Sequence, residues 1–324
     1  MLHRFSRAAR AAALALAAAF LPTFALAAPA GWQLQNGSWV PIVQPSPDSP
    51  EGQVAQMIQD LADNHTGDLI YNAKQWIKKN KTNPLMPQVL LLQGDAEVKR
   101  GNRYKALFSY EALVNNYPNS DLYLPVLQRE YGIADSFLLG YKRKFLGMRI
   151  LPETADALEL LDRIQDRQRG SPLAEQAGIR IADYHFDHGE FPEAVDSYTD
   201  FLKRYPYSQY VRKAEIRRAQ ASLANFRGVL FDFTPLYDAR ERLAAIAQAY
   251  PQSAEAIQIP AIDDRIYQLE GQKNLAIARY YWRAGDHHAA AETYKRVIAN
   301  WPNTPYAQAA RAELDRRLPT EANK

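Results

Sequence analysis

A chain of 324 residues without a single cysteine can form no disulfide, thiolate metal site or cysteine nucleophile. Its 39 basic and 36 acidic side chains differ by only three, and Arg4, Arg7 and Arg10 account for that difference. Beyond the segment 1–27 the charges balance, which argues against a nucleic-acid footprint or a broad anionic-membrane one.

The N-terminus has the anatomy of a secretory signal peptide over residues 1–27. His3, Arg4, Arg7 and Arg10 make a basic start, Ala11 to Phe24 an apolar stretch, and Ala25-Leu26-Ala27 a small-residue cleavage site. No later apolar run approaches the ~18 residues of a membrane span. Residues 28–50 follow as a hairpin and linker. Asn36-Gly37 stands between Trp32-Gln33-Leu34 and Ser38-Trp39-Val40, and Asn-Gly tolerates the positive φ of a tight turn. Pro41, Pro45, Pro47 and Pro50 then keep the chain extended.

From residue 51 to 318 the apolar spacing is helical, with 319–324 left as a tail. Val54, Ile58 and Leu61 mark one helix, and Ile70, Ala73, Trp76 and Ile77 a second, with Asn83-Pro84 closing the pair. Val89 to Lys99 and Tyr104 to Asn115 form the next pair, split by Gly101. Leu122 to Leu139 and Ala155 to Gln168 flank a loop from Gly140 to Gly147. Arg212 to Asn225 and Ala239 to Ala249 flank another, from Phe226 to Pro235. Short-loop pairs fall at about 86–116, 175–204 and 271–300, and Asn303 to Leu318 reads as a polar-faced terminal helix.

The short-loop pairs share one phrase. Gly101, Gly189 and Gly285 each precede, at one constant spacing, a proline that follows an aromatic: Pro118, Pro206 and Pro302. Ala106, Ala194 and Ala290 keep their own fixed offset from the glycine, and Tyr110, Tyr198 and Tyr294 lie one turn beyond. Gly94, Ala182 and Ala278 put a small residue in each first helix. Close helix packing needs short side chains at the crossing and large ones to fill the gap beside it. This pattern resembles the tetratricopeptide repeat and implies an all-α, right-handed solenoid of about six helix pairs plus a C-terminal capping helix.

The phrasing of residues 277–305, and of Phe226-Arg227-Gly228 through Tyr250-Pro251-Gln252-Ser253, resembles the late repeats of the outer-membrane assembly factor BamD family. The resemblance covers residues 52–318 loosely and 175–310 best. It implies a scaffold in the periplasm, held at the outer membrane through partners. Those partners are envelope proteins: a BamA-like barrel-inserting protein and unfolded outer-membrane proteins. That family carries a lipidated cysteine after its signal peptide, which is missing here. The alternative is a soluble periplasmic adaptor for envelope maintenance or secretion machinery.

No phosphate loop, nucleophile elbow or His-Glu-x-x-His motif is present, so the reading is a non-enzyme without cofactor. His185 and His188, with Asp183 and Asp187, have metal-like spacing but fit a packing role and a helix end better. Candidate partner contacts are the loop aromatics Phe231, Phe233 and Tyr237, and Tyr141 and Phe145, which either fold back over their helices or anchor a partner. By the repeat analogy, Gln272, Arg279, Trp282 and Arg283 face outward on the late first helix, and Gln176, Asp183, Phe186 and Asp187 on the middle one.

Overall fold

A computed structural model of the protein describes residues 31–35, 38–42, 45–145, 148–151, 154–229 and 231–317. The segment 1–27 and the tail 319–324 lie outside them. Fourteen helices run through the described residues. They pack as six consecutive antiparallel pairs: α1 (Pro50–Ala62) with α2 (Thr66–Lys79), α3 (Met86–Lys99) with α4 (Arg103–Asn116), and α5 (Tyr123–Leu138) with α6 (Thr154–Arg167). Next come α7 (Pro172–Asp187) with α8 (Phe191–Arg204), α9 (Val211–Ala224) with α10 (Thr234–Ala249), and α12 (Ile259–Arg283) with α13 (His287–Asn300). A short α11 (Pro251–Ala256) intervenes, and α14 (Pro305–Arg317) caps the end. Because each element packs mainly on its sequence neighbours, the core grows lengthwise.

Helix ends follow from the sequence. Ser49 and Ser171 accept hydrogen bonds from the backbone N–H groups of Gly52 and Ala174, and Pro50 and Pro172 follow at the first helical position. The turn glycines Gly101, Gly189 and Gly285 have φ of 73°, 75° and 85°. That left-handed conformation lets the next residue's N–H reach back to Glu97, His185 and Tyr281 carbonyls, closing each first helix.

The seam contains the small and large residues in register. Ala106, Ala194, Ala290, Ala182 and Ala278 are fully buried, as are Tyr110, Tyr198 and, to within 1 %, Tyr294. At Gly94 the approach leaves no room for a side chain: a Cβ there would lie 2.1 Å from Tyr110 Cε1. Around these contacts Leu69, Leu113, Leu127, Leu160, Leu161 and Ile164 are buried. Each contributes about 1.5–3 kcal/mol over leaving it exposed.

Three features differ from the sequence reading. Residues 140–151 are not simply a loop: β3 (Arg143–Phe145) and β4 (Met148–Leu151) pair antiparallel, with a register irregularity between Arg143 and Lys144. The first helix of the last pair starts at Ile259 rather than near 271, because Ile259, Ile262 and Ile266 continue its apolar stripe onto α10. Helix α2 stops at Lys79, ahead of Pro84; Asn80 caps it and Asn83 Oδ1 accepts the Leu85 N–H in the following turn. Near the N-terminus, β1 (Gly31–Gln35) pairs with β2 (Ser38–Ile42), placing Gln35 opposite Ser38. The turn residues Asn36 and Gly37 lie outside the described residues.

Candidate protein-binding site

Charged contacts between successive first helices recur with the repeat. In α3, Asp95 accepts the Tyr110 hydroxyl at 2.6 Å and receives Arg129 of α5 at 2.7 and 3.0 Å. In α7, Asp183 accepts the Tyr198 hydroxyl at 2.7 Å and binds Lys213 and Arg217 of α9. In α12 the polarity reverses: Arg279 donates to Glu313 of α14 at 2.9 Å through Nε, and Glu313 also accepts the Tyr294 hydroxyl at 2.9 Å. The pairs Asp95–Arg129, Asp183–Arg217 and Arg279–Glu313 all join positions 34 apart, one tetratricopeptide period. Burial, reinforced by the adjacent carboxylates, pushes the Tyr110 and Tyr198 phenols far up, and Tyr294 up to about 12. They remain donors at any physiological pH.

This ladder reassigns two of the candidate contacts. Asp183 is 9 % exposed and belongs to the ladder, so it does not face outward. Phe186 packs edge-on against Phe191 and Tyr198, with Arg217 over its ring, and is not a free anchor either. Arg279 is half-exposed but held by Glu313. Burial works against the Glu313 charge, yet Arg279 and Tyr294 hold that carboxyl below the usual range. An Arg279→Glu variant is expected to loosen α14 by about 1 kcal/mol, the worth of a largely solvent-screened pair. Adding Glu313→Arg should restore it, read as amide-exchange protection in α14.

The aromatic candidates separate in the same way. Phe233 is 3 % exposed, stacked edge-on to Phe226 and packed against Leu236 and Ile266; it is core, not an anchor. Lys273 lies 4.2 Å from its ring centre and donates to the Phe231 carbonyl at 2.6 Å, pinning the loop onto α12. Phe231 and Tyr237 remain 56 % and 50 % exposed. Tyr141 folds back: its hydroxyl donates to the Gly101 carbonyl at 2.7 Å, and the Arg103 guanidinium lies 3.8 Å over its ring. Phe145 lies in β3, where only the backbone is described. Trp282 is half-buried against His287 and Arg317, Gln272 is half-buried, and Arg283 is exposed.

Among the exposed aromatics that escaped the sequence reading, two lie on α12: Tyr280, 61 % exposed, and Tyr281, 36 %. Tyr280 lies two helical turns past Lys273 on α12, along the stripe that holds the Phe231 loop. Continuing the apolar spacing of α12 back to Ile259 would have revealed that stripe. The histidines have ordinary partners: His185 pairs with Glu190 at 2.7 Å, and His188 stacks on Tyr184 while bonding its carbonyl at 2.8 Å. Among the described residues no group of three or more His, Asp or Glu is arranged to hold a metal ion.

A lengthwise core, a charge ladder with the period of the repeat, and the paired small and aromatic residues define a tetratricopeptide-type helical-repeat protein. A tetratricopeptide-repeat family model matches residues 88–120. The chain belongs to the YfiO family, described as outer membrane lipoprotein, whose model matches residues 152–318, just over half of the sequence. The outer membrane protein assembly factors BamD of Neisseria gonorrhoeae and of Neisseria meningitidis serogroup B are each 24 % identical to it over 169 residues. Those alignments cover 49 % of this chain and 63 % of the relatives, so the chain spans less than two thirds of their length. The solved C-terminal part of a TPR repeat-containing protein from Cytophaga hutchinsonii is 15 % identical, with a TM-score of 0.37. That likeness covers 81 % of this chain and 88 % of the other. No described helix is long and apolar enough to cross a membrane.

Proposed function

We propose that the protein is a non-catalytic scaffold of the bacterial envelope that takes part in outer-membrane protein assembly. On this reading it is exported by the segment 1–27 and works in the periplasm. Its partners are a barrel-inserting envelope protein and unfolded outer-membrane proteins. One observation supports this most: the exposed aromatics Phe231, Tyr237, Tyr280 and Tyr281 fall within the segment matched by the outer membrane lipoprotein family. Exposed aromatic clusters on a rigid scaffold are the usual anchors of protein contacts, with Arg as the common companion, here Arg283.

The test is a binding titration of the purified protein against the periplasmic part of the barrel-inserting protein. A Phe231→Ser, Tyr280→Ser variant should bind about tenfold more weakly, the effect of losing one to two anchors, with unchanged helicity. Equal affinity of variant and parent would remove this surface from the reading. No binding by the parent would overturn the reading itself.

A further inference from the structure

Between α9 and α10 lies a cavity of about 280 Å³ whose walls carry charges of both signs. Glu215 and Arg218 line it from α9, and Asp238, Glu241 and Arg242 from α10, with Ile246 as an apolar wall. Three of these charges have protein neighbours that account for them. Arg242 donates to Ser222 Oγ at 2.7 Å and lies 3.7 Å from Asp238. Glu215 faces the Tyr250 phenol, which burial and this carboxylate together push up.

The other two do not. Arg218 is half-buried, has no hydrogen bond or ion pair among the described residues, and keeps its Nε buried without an acceptor. Burial, with the Arg242 charge added to it, pushes the Arg218 guanidinium down, and Glu215 opposes this only in part. Glu241 is exposed and also has no hydrogen bond or ion pair among the described residues. A free cation and a free carboxylate therefore line one cavity from neighbouring helices without meeting each other. A guanidinium withdrawn from water without an acceptor is costly, and a carboxylate is the group its fork of donors fits.

We propose that this cavity binds a small zwitterionic amino acid, its carboxylate on Arg218 beside Arg242 and its ammonium on Glu241. A ligand with both charges gives each unpartnered group its counterpart. A plain dianion such as phosphate would serve the two guanidiniums but set its charge against Glu215, Asp238 and Glu241. The volume of about 280 Å³ lies just under the ~300 Å³ at which pockets for drug-sized ligands begin, which holds the ligand to the size of one amino acid. Ile246 closes one side with apolar surface, which favours an aliphatic side chain. None of the lining residues is among the exposed aromatics assigned to protein partners, so the two sites are separable.

The test is calorimetric titration of the purified protein with L-alanine and L-valine, and in parallel with acetate, ethylamine and inorganic phosphate. At least one of the two amino acids should bind, and the three probes that carry one sign of charge should each bind about tenfold more weakly or not at all. Arg218→Gln and Glu241→Gln should each weaken amino-acid binding by about tenfold or more, the loss of one charged hydrogen bond. Without ligand, Arg218→Gln should melt no lower than the parent, because it removes a half-buried cation that has no counter-charge. Glu241 is exposed, so its variant tests the site without burdening the fold. No binding of either amino acid by the parent, equal binding of acetate, ethylamine or phosphate, or variants that bind like the parent would each overturn the proposal. None of these outcomes bears on the titration with the barrel-inserting protein.

Discussion

An Asp183→Ala variant should be less stable by about 2–3 kcal/mol in urea unfolding, more than any substitution at the exposed aromatics. Three donors converge on this carboxylate: the Tyr198 hydroxyl, Lys213 and Arg217. The tyrosine is fully buried, so its hydroxyl has no solvent to turn to when the acceptor is removed. A stranded buried donor costs about 1–3 kcal/mol. The two cations are 43 % and 30 % exposed and recover part of their hydration, which keeps the loss below that of a fully buried ion pair. Asp183→Asn retains an acceptor for Tyr198 but not the charge, so it should lose about half as much. Because each repeat contacts mainly its neighbours, amide exchange should quicken in α7, α8 and α9 while α1 to α4 stay protected. A loss under about 0.5 kcal/mol, or exchange that quickens evenly along the chain, would mean that the ladder does not couple adjacent repeats.

The ladder also shows what could be read from the residues alone. The Gly-to-Pro phrase located α3 with α4, α7 with α8, and the second helix of the last pair, because close crossing demands small residues at fixed offsets. It hid the role of the residue beside each small one. Asp95, Asp183 and Arg279 directly follow Gly94, Ala182 and Ala278, and each finds an opposite charge one repeat further on. A search for opposite charges at the repeat period would have separated Arg279 and Asp183 from the partner-facing residues. Phe233 was illegible for a different reason. Phe231, Phe233 and Tyr237 look alike in a loop, and only the fold of α12 decides that the middle one goes inward against Ile266. The β3–β4 ribbon is not legible as a hairpin in the sequence, because it lacks the Asn-Gly turn that marks the N-terminal one.

Replacing Glu130 by Gln should raise stability near neutral pH, an unusual direction for a buried position. Glu130 is fully buried between α4 and α6; one carboxylate oxygen has no partner and the other lies 3.4 Å from Arg167. Burial pushes its carboxyl from 4.5 up to about 8, the nearby Glu111 charge adds to this, and Arg167 and Arg163 oppose it. Glu111 itself stays below the usual carboxylate range: burial pushes it up, but Arg167 and Arg163 prevail through direct contacts of 2.6 and 2.9 Å. Those guanidiniums are therefore committed to Glu111, with Asn115 completing the cluster. Below pH 4.5 the Glu130 proton is bound in both the folded and unfolded chain, so the group leaves stability unchanged. Between 4.5 and 8 the unfolded chain releases the proton and the folded one keeps it. Stability then falls as pH rises, by about 3 kcal/mol at pH 7. Above 8 the loss levels off. Glutamine has no proton to keep, so the variant should match its parent near pH 4.5 and melt several degrees higher at pH 7 to 8. The measurement is a pair of melting curves taken from pH 4.5 to 8.5. Profiles that run parallel would show that Glu130 is ionised in the folded state, held by Arg167 more firmly than a 3.4 Å contact implies.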